Sequence, residues 1–175
     1  MHRDATLDAS SGEGAGAVLH RDRRGIALFK HLLVTLDGSP WSETVIPHAS
    51  AIARSMSAEL TLVRIVDAVS SDWSERGALG KNNSNTPESS VFFDQAQAYL
   101  ERIAALVRAD GVVVHTIVKQ GAAAKQIVAA AKELDADAIA MATHSRRGVR
   151  RLMFGSVAEE VLHDTQLPVL LVRAA

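Results

Sequence analysis

The sequence predicts an α/β fold: a five-stranded parallel sheet, doubly wound, in the order β-α-β-α-β-α-β-α-β. Three observations predict it. Short apolar runs of strand length alternate with longer segments of helical period along most of the 175 residues. Aromatics make up only 4% of the chain while apolar residues reach 47%, so Ala, Val, Leu and Ile carry the core, which favours helices on a sheet over an aromatic-rich β fold. Turn formers and helix caps stand at the junctions.

Residues 1–28 read as a disordered leader. Met1 to Arg24 are rich in charges, Gly and Ser and lack the apolar h-region of a secretory signal. Residues 29–175 read as one domain. Lys30 to Leu36 is a short apolar run suited to a strand buried on both faces. Asp37-Gly38-Ser39-Pro40 ends it, with Ser39 an N-cap and Pro40 a first helical residue. A helix follows, with Trp41, Val45, Ala49, Ile52 and Met56 at helical spacing. Leu60 to Val66 is the second strand. Residues 67–86 are polar, rich in turn formers and without period, and read as a mobile loop.

Thr86-Pro87 opens the second helix, whose expected inner stripe is Phe92, Ala96, Tyr99, Ile103 and Leu106. Gly111 ends it as a C′ residue. Val112 to Val118 is the third strand. Gly121 turns into a third helix, with Ile127, Val128, Ala131 and Leu134 facing inward. Ala136 to Met141 is the fourth strand, about Val157 to His163 the fourth helix, and Pro168 to Val172 the fifth strand. Strict alternation implies helices on both faces. In such sheets ligands sit beyond the carboxyl ends of the strands, where strand order reverses. With the first strand central, Asp37 and the loop after Met141 face each other there.

Bulk properties exclude several functions. The formal charge is −1, from 19 basic and 20 acidic side chains, so no bulk attraction to nucleic acid or anionic lipid is expected. No apolar run is long enough to cross a bilayer. The chain has no cysteine, which excludes disulfides, thiolate metal sites and cysteine nucleophiles, and fits a cytoplasmic setting. The seven histidines are scattered, without a second histidine at i, i+4 ligand spacing.

The chemistry concentrates between Met141 and Glu159. Ser156-x-x-Glu159 is a capping-box pattern preceded by Gly155. A helix N-terminus offers free N–H groups and a dipole that attract anions, phosphate among them. Ala142 and Ser145 are small and sit just past a strand, where successive N–H groups can form an anion nest. Arg146, Arg147, Arg150 and Arg151 gather positive charge that suits either a polyphosphate or a solvated face.

This segment resembles the signature of universal stress proteins, G-x2-G-x9-G-S/T between a strand and a helix. The spacing is kept at Ala142, Ser145, Gly155 and Ser156, although the first two glycines are replaced. If either position required φ > 0, a side chain there would strain the loop by about 1 kcal/mol. Leu36-Asp37-Gly38-Ser39 is similar to the family's first strand end, and Pro168-Val169-Leu170-Leu171-Val172 to its last strand. The resemblance spans Lys30 to Arg173 and implies a Rossmann-like fold of the adenine nucleotide alpha hydrolase type.

It also implies a site. ATP, AMP or another adenine nucleotide would lie between the first and fourth strands, with magnesium present only through the phosphates. Thr35, Leu36 and Asp37 would lie at the adenosine end and Ile65 against the adenine. Met141, Ala142, Thr143, Ser145 and Arg146 would border ribose and phosphates, and Gly155, Ser156 and Val157 would hold phosphates. A homodimer through Pro168 to Val172 is expected.

The leading reading is a stress-response regulator that binds an adenine nucleotide. The alternative is a nucleotide-free dimeric interaction module of the same family, motivated by the two replaced glycines. A third is a slow ATPase or ATP-dependent enzyme, although no general base with an orienting partner is visible. An ATP-pyrophosphatase would carry S-G-G-x-D-S where Leu36-Asp37-Gly38-Ser39-Pro40 stands. A phosphoacceptor receiver would need an acidic pair after its first strand, where only Asp37 stands. A flavodoxin would want aromatic loops.

Overall fold

The computed structural model describes residues 20–21, 27–66, 87–144 and 155–174. The loop read over 67–86 and most of the leader lie outside them. Within the leader, β1 (His20–Arg21) and β2 (Ala27–Leu28) form a small antiparallel pair. The main body runs β3 (His31–Thr35), α1 (Pro40–Glu43), α2 (Ile46–Met56), β4 (Glu59–Val66), α3 (Pro87–Ala109), β5 (Val114–Gln120), α4 (Ala123–Glu133), β6 (Ala138–His144), α5 (Ser156–Asp164) and β7 (Val169–Ala174).

The sheet is five-stranded and wholly parallel, in the order β5-β4-β3-β6-β7. The central position of β3 is as expected, and strand order reverses between β3 and β6. Alternate residues of each strand enter two separate cores. Leu32, Val34, Leu36, Leu60 and Leu62 pack with Val45, Ala49, Leu100, Ile103 and Ala104 of the α2–α3 side. Leu33, Val63, Ile139 and Met141 pack with Ile127, Val128, Ala131, Ala158 and Val161 of the α4–α5 side. Among the described residues no helix is long and apolar enough to cross a membrane.

Three local expectations are corrected. The first helix is interrupted after Glu43, because Pro47 has no N–H to bond the Glu43 carbonyl and its ring crowds that turn. Trp41 lies on the short first piece and is exposed. The buried stripe of α3 is Ala96, Leu100, Ile103, Ala104 and Val107, while Phe92 and Leu106 face solvent. The small Ala96 and Ala104 let the helix lie close to the sheet, so the stripe turns by about one residue from the one drawn through the aromatics. Strands three and four also begin and end two or three residues later than expected, at Val114–Gln120 and Ala138–His144.

The N-terminal end of the sheet is stitched by side chains. The buried Asp137 accepts from the backbone N–H groups of Lys30, at 2.7 Å, and His31, at 2.9 Å. The His31 ring reaches the Leu134 carbonyl through Nδ1 at 3.0 Å and Thr61 Oγ1 through Nε2 at 2.7 Å. A carbonyl only accepts, so Nδ1 donates there, and in the neutral ring Nε2 accepts from the Thr61 hydroxyl.

Candidate functional site

At the other end the sheet opens. The β3–β6 ladder closes with Val34 opposite Ala140, whereas β6 continues along β7 to His144 opposite Ala174. Meanwhile β3 leans toward β4, with Leu36 N–H bonding the Val63 carbonyl at 2.9 Å. The two strands therefore part at the point where strand order reverses, and a crevice begins there.

Asp37 stands on the β3 lip. Its Oδ1 accepts from Ser39 N–H at 2.8 Å, and its own N–H donates to Ser42 Oγ at 3.3 Å. Ser39 in turn caps α1, its Oγ accepting from Ser42 N–H at 3.2 Å, with Pro40 next in the helix as expected. Burial raises the Asp37 carboxyl, but the bonds from Ser39 and Ser42 outweigh it and hold the group below its ordinary value. A carboxylate fixed in this way stays charged and aimed. Gly38 makes the turn possible, with φ +90.

The α5 lip is an open helix start. Gly155 is the N-cap at φ +87, and no side chain among the described residues caps the helix. The capping box expected at Ser156 is not formed: Ser156 is already the first helical residue, one position too late to cap it. Glu159 N–H bonds the Gly155 carbonyl at 2.9 Å, so the helix proper begins at once. Gly155, Ser156 and Val157 are all exposed, and no described atom lies within 4 Å of where a Cβ on Gly155 would stand. Backbone N–H groups that no described side chain caps suit an anion.

The strands divide the remaining sequence-predicted residues between two faces. Thr35, Ile65, Met141 and Thr143 fall on the α4–α5 face by strand alternation, with Ile65 and Met141 in that core. Leu36 and Ala142 fall on the α2–α3 face. Leu36, Met141 and Thr143 are buried, so Leu36 and Met141 can meet a ligand chiefly through their backbone. Ala142 lies inside β6, opposite Val172, and is not among the positive-φ residues. Its replacement of glycine therefore carries no backbone strain. Ser145 and Arg146, with Arg147, Arg150 and Arg151, lie outside the described residues.

Two neighbours of Asp37 were not foreseen. Arg64 of β4 lays its guanidinium against Gly38 and over the Tyr99 ring, 5.1 Å from the centroid. Burial pushes the Tyr99 phenol up to about 12, and its oxygen has no hydrogen-bond partner among the described residues. The signal for Arg64 was present as the lone charge within Leu60 to Val66. No group of three or more potential metal-ligating side chains occurs among the described residues.

Known proteins carry the same architecture. Residues 28–173 match the model of the universal stress protein family. A universal stress protein of Methanocaldococcus jannaschii is 32% identical over 151 residues, covering 86% of each chain. Two solved structures share the fold. A universal stress protein from Archaeoglobus fulgidus in complex with dAMP has a TM-score of 0.58 at 20% identity, over 82% of this chain and 98% of that one. A universal stress protein in complex with cAMP has a TM-score of 0.58 at 20% identity, over 85% of this chain and 99% of that one. The match of the family across nearly the whole folded body, the reversed strand order and the glycine-led helix agree: this chain belongs to the universal stress protein family.

Proposed function

We propose that this chain is a stress-response regulator that binds an adenine nucleotide, ATP foremost, in the crevice between β3 and β6. The observation that carries the reading is the juxtaposition at one sheet end of a fixed carboxylate, Asp37, and an uncapped, glycine-led helix start at Gly155. The first suits the hydroxyl and amino donors of an adenosine, the second suits phosphate. The dAMP and cAMP complexes of family members support the ligand class. Thr35 and Ile65 would flank the adenosine, Ala142 and Thr143 the ribose, and Ser156 and Val157 the phosphates. Magnesium would enter on the phosphates.

Equilibrium dialysis of nucleotide-stripped protein tests this. ATP or AMP uptake at millimolar ligand is expected, and none would sink the reading. Gly155→Val should weaken ATP by about tenfold, since the position has φ +87 and a branched side chain would stand before the anion. Phosphate release well above a Ser156→Ala control would point instead to an ATPase.

A second reading has its own support. β7 is an edge strand, and Val169, Leu170, Leu171 and Val172 along it are apolar and only half-buried. A second copy of the chain would cover it. The dimer is compatible with either a filled or a vestigial crevice. Sedimentation at high concentration decides: particles of monomer mass alone would refute it.

A further inference from the structure

Arg64 is the one charge between Leu60 and Val66, the stretch of β4 whose Leu60, Leu62 and Val63 enter the two apolar cores. Arg64 is only half-buried, so its stem lies along the sheet while its guanidinium reaches the surface turn. Its head is held from two sides. Arg64 Nη2, Cζ and Nη1 would stand 2.8, 2.9 and 3.1 Å from a Cβ placed on Gly38. Glycine is favoured at 38 by its φ of +90, and the guanidinium occupies the space on the side where a side chain would stand. The Tyr99 ring lies under the same guanidinium at 5.1 Å, a cation–π stack. Tyr99 is itself fixed from α3, with Arg102 5.4 Å from its centroid and Arg102 anchored to Glu43 at 3.3 Å. Arg64 meets the face of the ring; the phenol oxygen lies near Ser42 and Glu43 but makes no hydrogen bond of good geometry among the described residues.

We propose that Arg64, clamped between Tyr99 and Gly38, is a positioning residue that fixes the Asp37-Gly38-Ser39 turn and so aims the Asp37 carboxylate at the adenosine half of a bound nucleotide. The inference rests on the nucleotide-binding reading for its ligand, but the clamp itself is independent of it. Arg64 touches the turn and not the phosphate end. Its loss acts on every adenosine-bearing ligand alike, whatever the number of phosphates.

The test is calorimetric titration of the full, nucleotide-stripped chain with adenosine, AMP and ATP. Arg64→Met and Tyr99→Leu should each weaken all three by the same factor, about five- to tenfold, leaving the ATP-to-adenosine ratio unchanged. Tyr99→Phe should match the wild type. The double variant should be no weaker than either single one, since both remove one clamp. Arg64→Lys should behave like Arg64→Met, because it keeps the charge but loses the flat stack. Unchanged affinities, a loss confined to ATP, or wild-type behaviour of Arg64→Lys would each overturn the proposal. If the wild type binds none of the three ligands, the nucleotide reading fails and the clamp is read another way. NMR titration of the free protein then follows the Asp37 carboxyl, which should move up toward an ordinary aspartate in both Arg64→Lys and Arg64→Met. An unmoved titration in Arg64→Lys would refute the clamp.

Discussion

The two ends of the sheet are built on opposite plans. At the N-terminal end, Asp137 and His31 join β3 to β6 and β4 through four side-chain contacts, and the connections are short. Ser57 ends α2 in the left-handed region, with its N–H on the Ala53 carbonyl, so that end closes on its own backbone. At the C-terminal end β3 and β6 separate, Gly38 and Gly155 take positive φ, and α5 starts at a glycine with no side-chain cap among the described residues. Polar groups at the closed end are used up by the fold. Those at the open end are held in place but left facing outward. The difference teaches that the polar groups which tie the strands together and those left open to solvent lie at opposite ends of the same sheet.

Among substitutions of polar groups, the largest effect should come from the closed end. Asp137→Ala removes the charged acceptor of two part-buried N–H groups and is expected to cost about 3 kcal/mol in urea unfolding, with nucleotide affinity unchanged while the protein stays folded. An affinity loss matching the stability loss would break the division between the ends.

A smaller effect should come from the open end and depend on pH. The folded Asp37 carboxyl is held below its ordinary value, so its contribution to stability is present above the unfolded aspartate value of about 3.9 and is lost as pH falls through the folded one. The gap between wild type and Asp37→Asn should stay level from neutral pH down to about pH 5 and close at lower pH. A gap that widens on acidification would show that the turn is held by something other than the charged carboxylate. The same variant should weaken adenosine more than it destabilises the fold.

The smallest effect belongs to the outer face of α3. Leu106→Ser should change stability by less than about 0.5 kcal/mol, because Leu106 is 64% exposed. Leu100→Ala, fully buried on the same helix, should cost about 3 kcal/mol. Equal costs would restore the stripe expected from sequence.

That pair also marks how far the sequence was legible. Alternating runs such as Leu60 to Val66 and the turn at Asp37-Gly38-Ser39-Pro40 declare strand, turn and helix locally, so element order and parallel topology could be read. Ser39 and Pro40 were read correctly because a cap is a matter of adjacent residues. The α3 stripe was right at Ala96 and Ile103 but drawn through Phe92 and Leu106 instead of Leu100, Ala104 and Val107, because large apolar side chains carry more signal than the small Ala104. The break at Glu43 was missed although Pro47 was in plain view. Ser156 was misplaced by one position, since the box pattern does not say which residue first turns helical. The Asp137–His31 contact joins residues 106 apart, and the Arg64–Gly38–Tyr99 clamp joins three elements. No local pattern encodes either.

The central place of β3 has a consequence for how the chain folds. It is the first strand of the sheet to be made, yet its two neighbours come from both sides, and the β6 side is closed only by a contact 106 residues downstream. A nascent chain can pair β3 with β4 early, but it must hold the other edge of β3 unsatisfied until β6 has been synthesised. Folding is thus committed late and through long loops, which slows it and leaves an apolar strand edge open to wrong partners. Once the sheet is complete the order inverts: backbone amides of Leu33 and Val34, fully buried and flanked on both sides, exchange with solvent only when the whole domain opens, while those of the β7 edge exchange through local fraying.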